Sequence, residues 1–261
     1  MAEVIVIKIG GATLGSNDTT VEDIVALQQQ GKRLVVVHGG GKLITEWLGK
    51  QKIATRFVRG ERVTDKATLE VATAVLAGLT NKELVAAINS LGGRAVGICG
   101  VDGALLQVRM SNEELGYVGE VVKVDTALLE TLLQAGYVPV VATVGLHAFD
   151  RPGEAPQILN INGDLAAGEI AAALGAKGLI FLTDVAGVGD KSGKLLPRLS
   201  ASEAEALIAD GVASGGMIPK IKACVRALAT GVATCIIDGR QPHALLREIE
   251  GQGGGTTIYK K

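Results

Sequence analysis

Residues Glu3–Gly11 read EVIVIKIGG, an apolar run carrying one charge, Lys8, and ending in Gly10 and Gly11. A strand buried on both faces is usually apolar almost throughout, as in a parallel sheet. A buried ammonium must find an anionic partner or give up its charge. Glycines directly after it let the backbone approach a ligand and leave N–H groups to donate. The stretch therefore predicts a first strand over Val4–Ile9 with an anion site, suited to phosphate, at its carboxyl end. On these residues alone a second reading stays open: Lys8 reaches out at a sheet edge and the glycines only turn the chain.

Working outward, further apolar strands are expected at Leu34–His38, Ala95–Cys99, Val138–Ala142, Leu179–Thr183 and Thr234–Ile237, with helical patterns between them. Thr80 with Glu83 and Ser200 with Glu203 fit the capping box, and Gly31, Gly92, Gly136, Gly175, Gly211 and Gly231 mark helix ends. Such alternation predicts an α/β fold with an open, mostly parallel sheet sandwiched by helices. Ala104–Val124 and Gly187–Leu196 break the pattern and are expected to be hairpins. Ligands of open α/β sheets sit at the carboxyl ends of the strands, where the motifs below fall.

The 261 residues allow one large α/β domain or two packed lobes, and 48% hydrophobic residues allow a sizeable core. A net charge of −1 argues against non-specific nucleic-acid binding, and 3% aromatics offer few platforms for bases. No signal peptide and no apolar run of membrane-spanning length is read. Cys99, Cys224 and Cys235 lack paired spacing and read as reduced core residues of a cytoplasmic protein. His38, His147 and His243 lie too far apart to suggest a metal cluster.

A second glycine cluster, HGGG at His38–Gly41, follows a strand and opens a helix. It gathers N–H groups and a positive dipole end at one point, a cradle for carboxylate or phosphate. It is not a P-loop, because Leu43 follows Gly41-Lys42, nor a G-x-G-x-x-G fingerprint, and no G-x-S-x-G elbow accompanies it. Arg62 in RGERVT (Arg59–Thr64) can clamp a carboxylate, with Arg56 and Arg59 as competitors and Thr64 or Asp65 as the following helix cap. In LNINGD (Leu159–Asp164), Asn162-Gly163 can simply turn the chain and Asp164 cap a helix, whereas Asn160 is left as a candidate donor to a substrate. TDVAGVG (Thr183–Gly189) suits ribose and phosphates. GGMIPKIK (Gly215–Lys222) starts a helix with a buried stripe of Ile218, Ile221, Val225 and Leu228. Lys220, off that stripe and near the positive helix end, calls for a compensating acid or anion.

Taken in order, KIGG (Lys8–Gly11), VHGGG (Val37–Gly41), GERVT (Gly60–Thr64), LAGLTNKELV (Leu76–Val85), GVDG (Gly100–Gly103), GYVGEV (Gly116–Val121), GYVPVVATVG (Gly136–Gly145), LNINGD, LTDVAGV and GGMIPK resemble the acetylglutamate kinases of the amino-acid kinase family over essentially the whole chain. The resemblance implies one sheet shared by two lobes: residues 1–175 for acyl-acceptor binding and dimerisation, and 176–261 for ATP. It implies transfer of the γ-phosphoryl of ATP, with Mg²⁺ held by phosphates and water, to the side-chain carboxylate of N-acetyl-L-glutamate. Lys8 and Lys220 would neutralise the transferring group, Asp164 would hold both lysines, and Gly11, Gly40 and Gly41 would donate N–H groups. Arg62 and Asn160 would bind the acceptor. Gly10, Thr183, Asp184, Val185, Gly187, Val188, Gly189, Val212, Ala213 and Ser214 would hold the nucleotide. The family's arginine-inhibited members carry an extra N-terminal helix that links dimers into a hexamer. With the first strand starting almost at Met1, a homodimer without arginine feedback is expected. A sister kinase for carrier-linked aminoadipate would want a wider, more basic mouth, and a non-catalytic sensor would have lost Lys8, Asp164 or Lys220.

Overall fold

The computed structural model describes residues 3–10, 19–58 and 60–260. Their elements run β1 (Val4–Ile9), α1 (Thr20–Gln29), β2 (Arg33–His38), α2 (Gly41–Lys50), the short β3 (Phe57–Val58) and β4 (Glu61–Arg62), then α3 (Lys66–Thr73) continuing through a π-helical stretch (Ala74–Thr80) into α4 (Asn81–Ser90). There follow β5 (Ala95–Gly100), β6 (Leu106–Met110), β7 (Val118–Val124), α5 (Ala127–Gln134), β8 (Val138–His147), β9 (Ile158–Ile161) and α6 (Gly163–Leu174). The last third holds β10 (Gly178–Thr183), β11 (Arg198–Ser200), α7 (Ala201–Ala209), α8 (Met217–Ala229), β12 (Ala233–Asp238), α9 (Ala244–Ile249) and β13 (Thr256–Tyr259).

An 11-stranded sheet runs β11-β13-β12-β10-β1-β2-β8-β6-β7-β9, with β5 also on β8. Its centre, β12 to β10 to β1 to β2 to β8 to β5, is parallel throughout. The antiparallel pairs β12–β13, β6–β7 and β8–β9 lie toward the edges. β1 stands between β2 and β10, where the chain leaves in one direction and later returns on the other side. That is the place at which open α/β sheets bind ligands.

Strand side chains alternate between faces, and this places Lys8. Ile5, Ile7 and Ile9 pack with Ile24, Ile88 and Leu245 under α1, α4 and α9. Val6 packs the other way, with Ala167, Ile221 and Cys224 under α6 and α8. Lys8 shares the face of Val6, so its ammonium meets the first turns of α6 and α8.

The six strands read from the sequence are all present, and β8 runs on five residues to His147, where it picks up β6 and β9. The Ala104–Val124 hairpin is β6–β7, while Gly187–Leu196 forms only a single antiparallel bridge, Gly189 to Leu195. Short β3, β4, β9, β11 and β13 were not expected as strands. Ser200 and Glu203 form the capping box, and the six helix-ending glycines all have positive φ. Thr80 does not cap. It has helical backbone and lies inside one helix from Lys66 to Ser90, so no free N–H is there to donate to its hydroxyl oxygen. That helix is long and apolar enough by composition to cross a membrane, although Lys66, Glu70, Lys82 and Glu83 interrupt it and leave no continuous apolar run of that length. Here it is a core element: Leu84 and Ile88 lie in the cluster under β1, and Val75 and Leu76 pack with Ala142 and Val144 of β8. On α8 the buried stripe is broader than expected and centres on Pro219, Ile221, Cys224, Ala227 and Leu228, with Ile218 and Val225 half-buried.

Helices α6 and α8 meet at Gly168, where an added Cβ would lie 2.9 Å from Ala223 Cβ and 3.0 Å from its carbonyl oxygen. Gly168→Ala is expected to destabilise the fold by about 1–3 kcal/mol, because crowding outweighs the gain in helix propensity. An unchanged or raised melting temperature for this variant would contradict the close packing.

Candidate active site

A cavity of about 190 Å³ opens at the carboxyl ends of β1, β2 and β9. Lys8, Gly39, Gly40, Gly41, Arg62, Asn160, Asn162 and Asp164 are in its wall. A larger cavity of about 410 Å³, lined by Ile5, Leu179 and Cys235 at the other end of the strands, contains none of the expected site residues. The smaller one is where the chemistry gathers.

At its floor Asp164 joins Lys8, which also lines the cavity, to Lys220, which lies outside the lining. Lys8 Nζ lies 2.7 Å from Asp164 Oδ1 as an ion pair, without the direction of a good hydrogen bond. Lys220 Nζ donates to Asp164 Oδ2 at 3.0 Å and to the Gly216 carbonyl at 3.2 Å. Asp164 is not the helix cap that its position also allowed. Asn162 caps α6, its side-chain oxygen accepting from the N–H groups of Asp164 and Leu165. The Asp164 side chain is therefore free to turn to the lysines. Burial pushes its carboxyl up, but the ammoniums of Lys8 and Lys220 together overcome this and hold it below the ordinary carboxylate range. Asp164 is thus a fixed anion and not a proton acceptor. It also supplies the acid that Lys220 requires near the start of α8.

The glycine cluster forms one wall. Gly40 precedes α2 and Gly41 is its first residue. The first N–H groups of a helix have no partner within it, and those of Gly40 and Gly41 meet no acceptor among the described residues. A Cβ on Gly40 would lie 2.8 Å from Leu76 Cδ2, so the loop lies tight against the π-helical stretch.

Arg62 continues this wall beside the glycine cluster. Its Nη2 donates to the Gly41 carbonyl at 2.7 Å and to Thr45 Oγ1 at 2.8 Å, and its guanidinium stacks on Phe57 at 4.7 Å. Arg62 is only 7% exposed, yet Nη1 has no partner among the described residues. A buried guanidinium nitrogen without an acceptor, in the wall of a cavity, is arranged for an anion. Of its competitors, Arg56 spends Nη2 on the Glu114 carbonyl at 3.4 Å, and Arg59 lies outside the described residues. Asp65, not Thr64, caps α3, accepting from Thr68 N–H at 2.8 Å. Asn160 Nδ2 donates one hydrogen to Thr64 Oγ1 at 3.3 Å, which leaves its second hydrogen to donate and its Oδ1 to accept. The turn of the β3–β4 hairpin reaches across to the α7–α8 connection: a Cβ on Gly60, whose φ is +86°, would lie 2.8 Å from Gly215 O.

The nucleotide candidates gather outside this cavity, on the loop after β10 and on the α7–α8 connection. Thr183 Oγ1 accepts from Val185 N–H at 3.2 Å, and Val188 N–H donates to Thr256 Oγ1 at 2.8 Å, so the loop is pinned from below by β13. Gly187 allows that approach: a Cβ there would lie 2.5 Å from Thr256 Oγ1. Val188 and Ala213 bury their side chains, Val212 and Gly189 are half-buried, and Asp184, Val185 and Ser214 are exposed. The N–H groups of Val212 and Ala213 both donate to Leu207 O at 2.9 Å, so they are engaged within the fold. Gly10 N–H donates to Leu182 O at 3.3 Å, and Gly11 lies outside the described residues.

Phe57, Leu76, Val118 and Thr143 in the cavity wall were not anticipated. Thr143 could have been found by the signal that marked Lys8, a polar residue inside an otherwise apolar strand. Among the described residues no group of three or more His, Cys, Asp or Glu side chains is placed to hold a metal ion.

The chain is similar to known proteins over nearly its whole length. A 253-residue stretch is 53% identical to the acetylglutamate kinase of Thermosynechococcus vestitus, covering 94% of this chain and 83% of that one. The acetylglutamate kinase of Dehalococcoides mccartyi strain CBDB1 is 49% identical over 255 residues, covering 98% of this chain and 94% of that one. Among solved structures, smu.665 from Streptococcus mutans superposes with a TM-score of 0.84 at 28% identity, covering 100% of both chains. With residues 3–238 also matching the model of the amino acid kinase family, the chain that carries this lysine–aspartate–lysine floor belongs to that family.

Proposed function

We propose that the protein transfers the γ-phosphoryl group of MgATP to the side-chain carboxylate of N-acetyl-L-glutamate, giving N-acetyl-L-glutamyl 5-phosphate and ADP in arginine biosynthesis. The observation that carries this reading is one buried carboxylate, Asp164, holding two ammoniums at the floor of a cavity with a free Arg62 Nη1. The relatives named acetylglutamate kinase, about half identical over nearly the whole chain, support the choice of acceptor.

A carboxylate nucleophile is already ionised at neutral pH, so no general base is needed. The obstacle is repulsion between two anions, and phosphoryl transfer is catalysed mainly by positioning and charge neutralisation. Lys8 faces the transferring group from the acceptor side and Lys220 from the nucleotide side. Asp164 keeps both at fixed places. The Gly40 and Gly41 N–H groups donate to phosphoryl and acceptor oxygens, with Gly11 as a further donor. Arg62 Nη1 takes the α-carboxylate, and the Asn160 carbonyl accepts from the acetamido N–H. ATP lies on the Thr183–Gly189 loop and on Val212–Ser214, with Gly10 beside its phosphates. Mg²⁺ arrives with ATP, held by phosphate oxygens and water. In this reading residues 1–175 form the acceptor lobe and residues 176–261 the nucleotide lobe. A cytoplasmic homodimer is the form that the family resemblance implies.

Arg62→Lys is expected to raise KM for the acceptor about 10–100-fold, the scale of one hydrogen bond to a charged group, with kcat changed little. An unchanged acceptor KM would remove Arg62 from the binding site. The reading as a whole is tested by ADP release from MgATP with N-acetyl-L-glutamate and, separately, with glutamate, aspartate and α-aminoadipate. Turnover confined to the acetylated acceptor is expected. Equal turnover with free glutamate would refute the assignment.

A further inference from the structure

His38 closes β2 directly before the glycine cluster and is wholly buried, yet nothing in the mechanism above uses it. It lies on the face of β2 opposite to Lys8, with Leu34 and Val36, and turns toward α4. Its Nδ1 is 3.1 Å from the Gly39 carbonyl oxygen and its Nε2 is 3.1 Å from Asn81 Nδ2. A carbonyl oxygen only accepts, so Nδ1 carries the hydrogen and Nε2 accepts from Asn81. Asn81 is fixed independently: Nδ2 donates to Val140 O at 2.9 Å and Oδ1 accepts from Lys82 Nζ at 3.1 Å. Asn81 is itself wholly buried, and a Cβ on Gly97 would lie 2.0 Å from its Oδ1, so the amide is held tightly against β5.

The consequence lies in one peptide plane. In a trans peptide the carbonyl and the following N–H point in opposite directions. The Gly39–Gly40 bond is trans. A hydrogen bond that draws Gly39 O toward His38 therefore aims Gly40 N–H away from it, and Gly40 lines the cavity. We infer that His38 is a positioning residue: through Gly39 O it aims the Gly40 N–H at the oxygens of the transferring phosphoryl group. The histidine touches no reactant and exchanges no proton. Burial, opposed by the Gly39 carbonyl and assisted by the Lys8 charge, pushes its pKa down to about 4, so the ring stays neutral and its one hydrogen stays on Nδ1.

The inference rests on the phosphoryl-transfer reading above. The test compares wild type, His38→Leu and His38→Asn by steady-state kinetics and by crystal structure. Leucine keeps the bulk and removes the donor. Asparagine places an amide N–H where Nδ1 stands. His38→Leu is expected to fold, to keep KM for MgATP within about threefold and to lose kcat about 100-fold, the cost of misplacing one group near the reacting atoms. Its Gly39–Gly40 peptide is expected to be rotated. His38→Asn is expected to recover most of kcat with the wild-type peptide orientation. A folded His38→Leu protein with full kcat, or with an unrotated peptide, overturns the inference. So does an asparagine variant as impaired as the leucine one. If wild type itself fails to phosphorylate N-acetyl-L-glutamate, the acceptor assignment falls, and peptide orientation in the two variants decides the role of His38.

Discussion

Asp164→Asn is expected to lose at least about 100-fold in kcat and to be markedly less stable than wild type. The amide has nearly the shape of the carboxylate but no charge. Lys8 at 2.7 Å and Lys220 at 3.0 Å would then face a neutral group and each other. Removing one partner of a buried ionic cluster costs about 3–5 kcal/mol. The lower end applies here, because the Lys220 side chain is 16% exposed and can swing toward solvent, whereas Lys8 at 8% cannot. The catalytic loss follows from the same geometry, since ammoniums that repel each other no longer converge on one phosphoryl group. The pH dependence separates the carboxylate's contribution from mere packing. The Asp164 carboxyl is held below the ordinary 3.8 in the folded protein, so its stabilisation is fully present above that pH and is lost as pH falls through the lower folded value. The stability gap between wild type and Asp164→Asn, read by urea unfolding, should be constant from pH 7 to about 5 and close only below about 3.8. A gap that closes near neutral pH would mean that the cluster is not held by an ionised Asp164.

Lys8→Ala and Lys220→Ala are each expected to fold and to lose about 10²–10³-fold in kcat, equivalent to about 2.7–4 kcal/mol, the scale for one donor that acts on the transition state. Both charges act where negative charge crowds during transfer, so the loss should fall on kcat more than on either KM. Lys220→Ala should be the less destabilising of the two, as the more exposed side chain. Because the three residues act as one unit, Lys8→Ala combined with Asp164→Asn should lose less than the product of the single losses. Near-wild-type turnover in either alanine variant would remove that lysine from the site, and simple additivity in the pair would break the unit apart.

The parallel centre of the sheet could be read from residues because it is nearly continuous in Val, Ile and Leu, and the one charge in β1, Lys8, already pointed to the cavity. The glycine cluster and Arg62 were legible as candidate donors, and both line the cavity. The choice among Arg56, Arg59 and Arg62 was not, because it depends on which side chain the β3–β4 hairpin folds inward, and two-residue strands leave no periodic signal. Asp164 was ambiguous in a different way: the fragment NGD offers two caps, and only the packing of α6 against α8 decides that Asn162 takes the helix end. Thr80–Glu83 misled for a related reason. A capping box is a local pattern, and the π-helical stretch before it made the helix continuous, a feature set by packing on β8. His38 stood out as a polar residue closing an apolar strand, but its role was not legible, since its partner Asn81 is 43 residues away.

The most direct test of phosphoryl transfer to a carboxylate is trapping of the product. Hydroxylamine is added to the protein with MgATP and N-acetyl-L-glutamate, and hydroxamate is measured beside ADP. One hydroxamate is expected for each ADP released, with both formed about 10²–10³-fold more slowly in Lys8→Ala and Lys220→Ala. Release of ADP without hydroxamate would show that the site passes the phosphoryl group to water and would contradict the account.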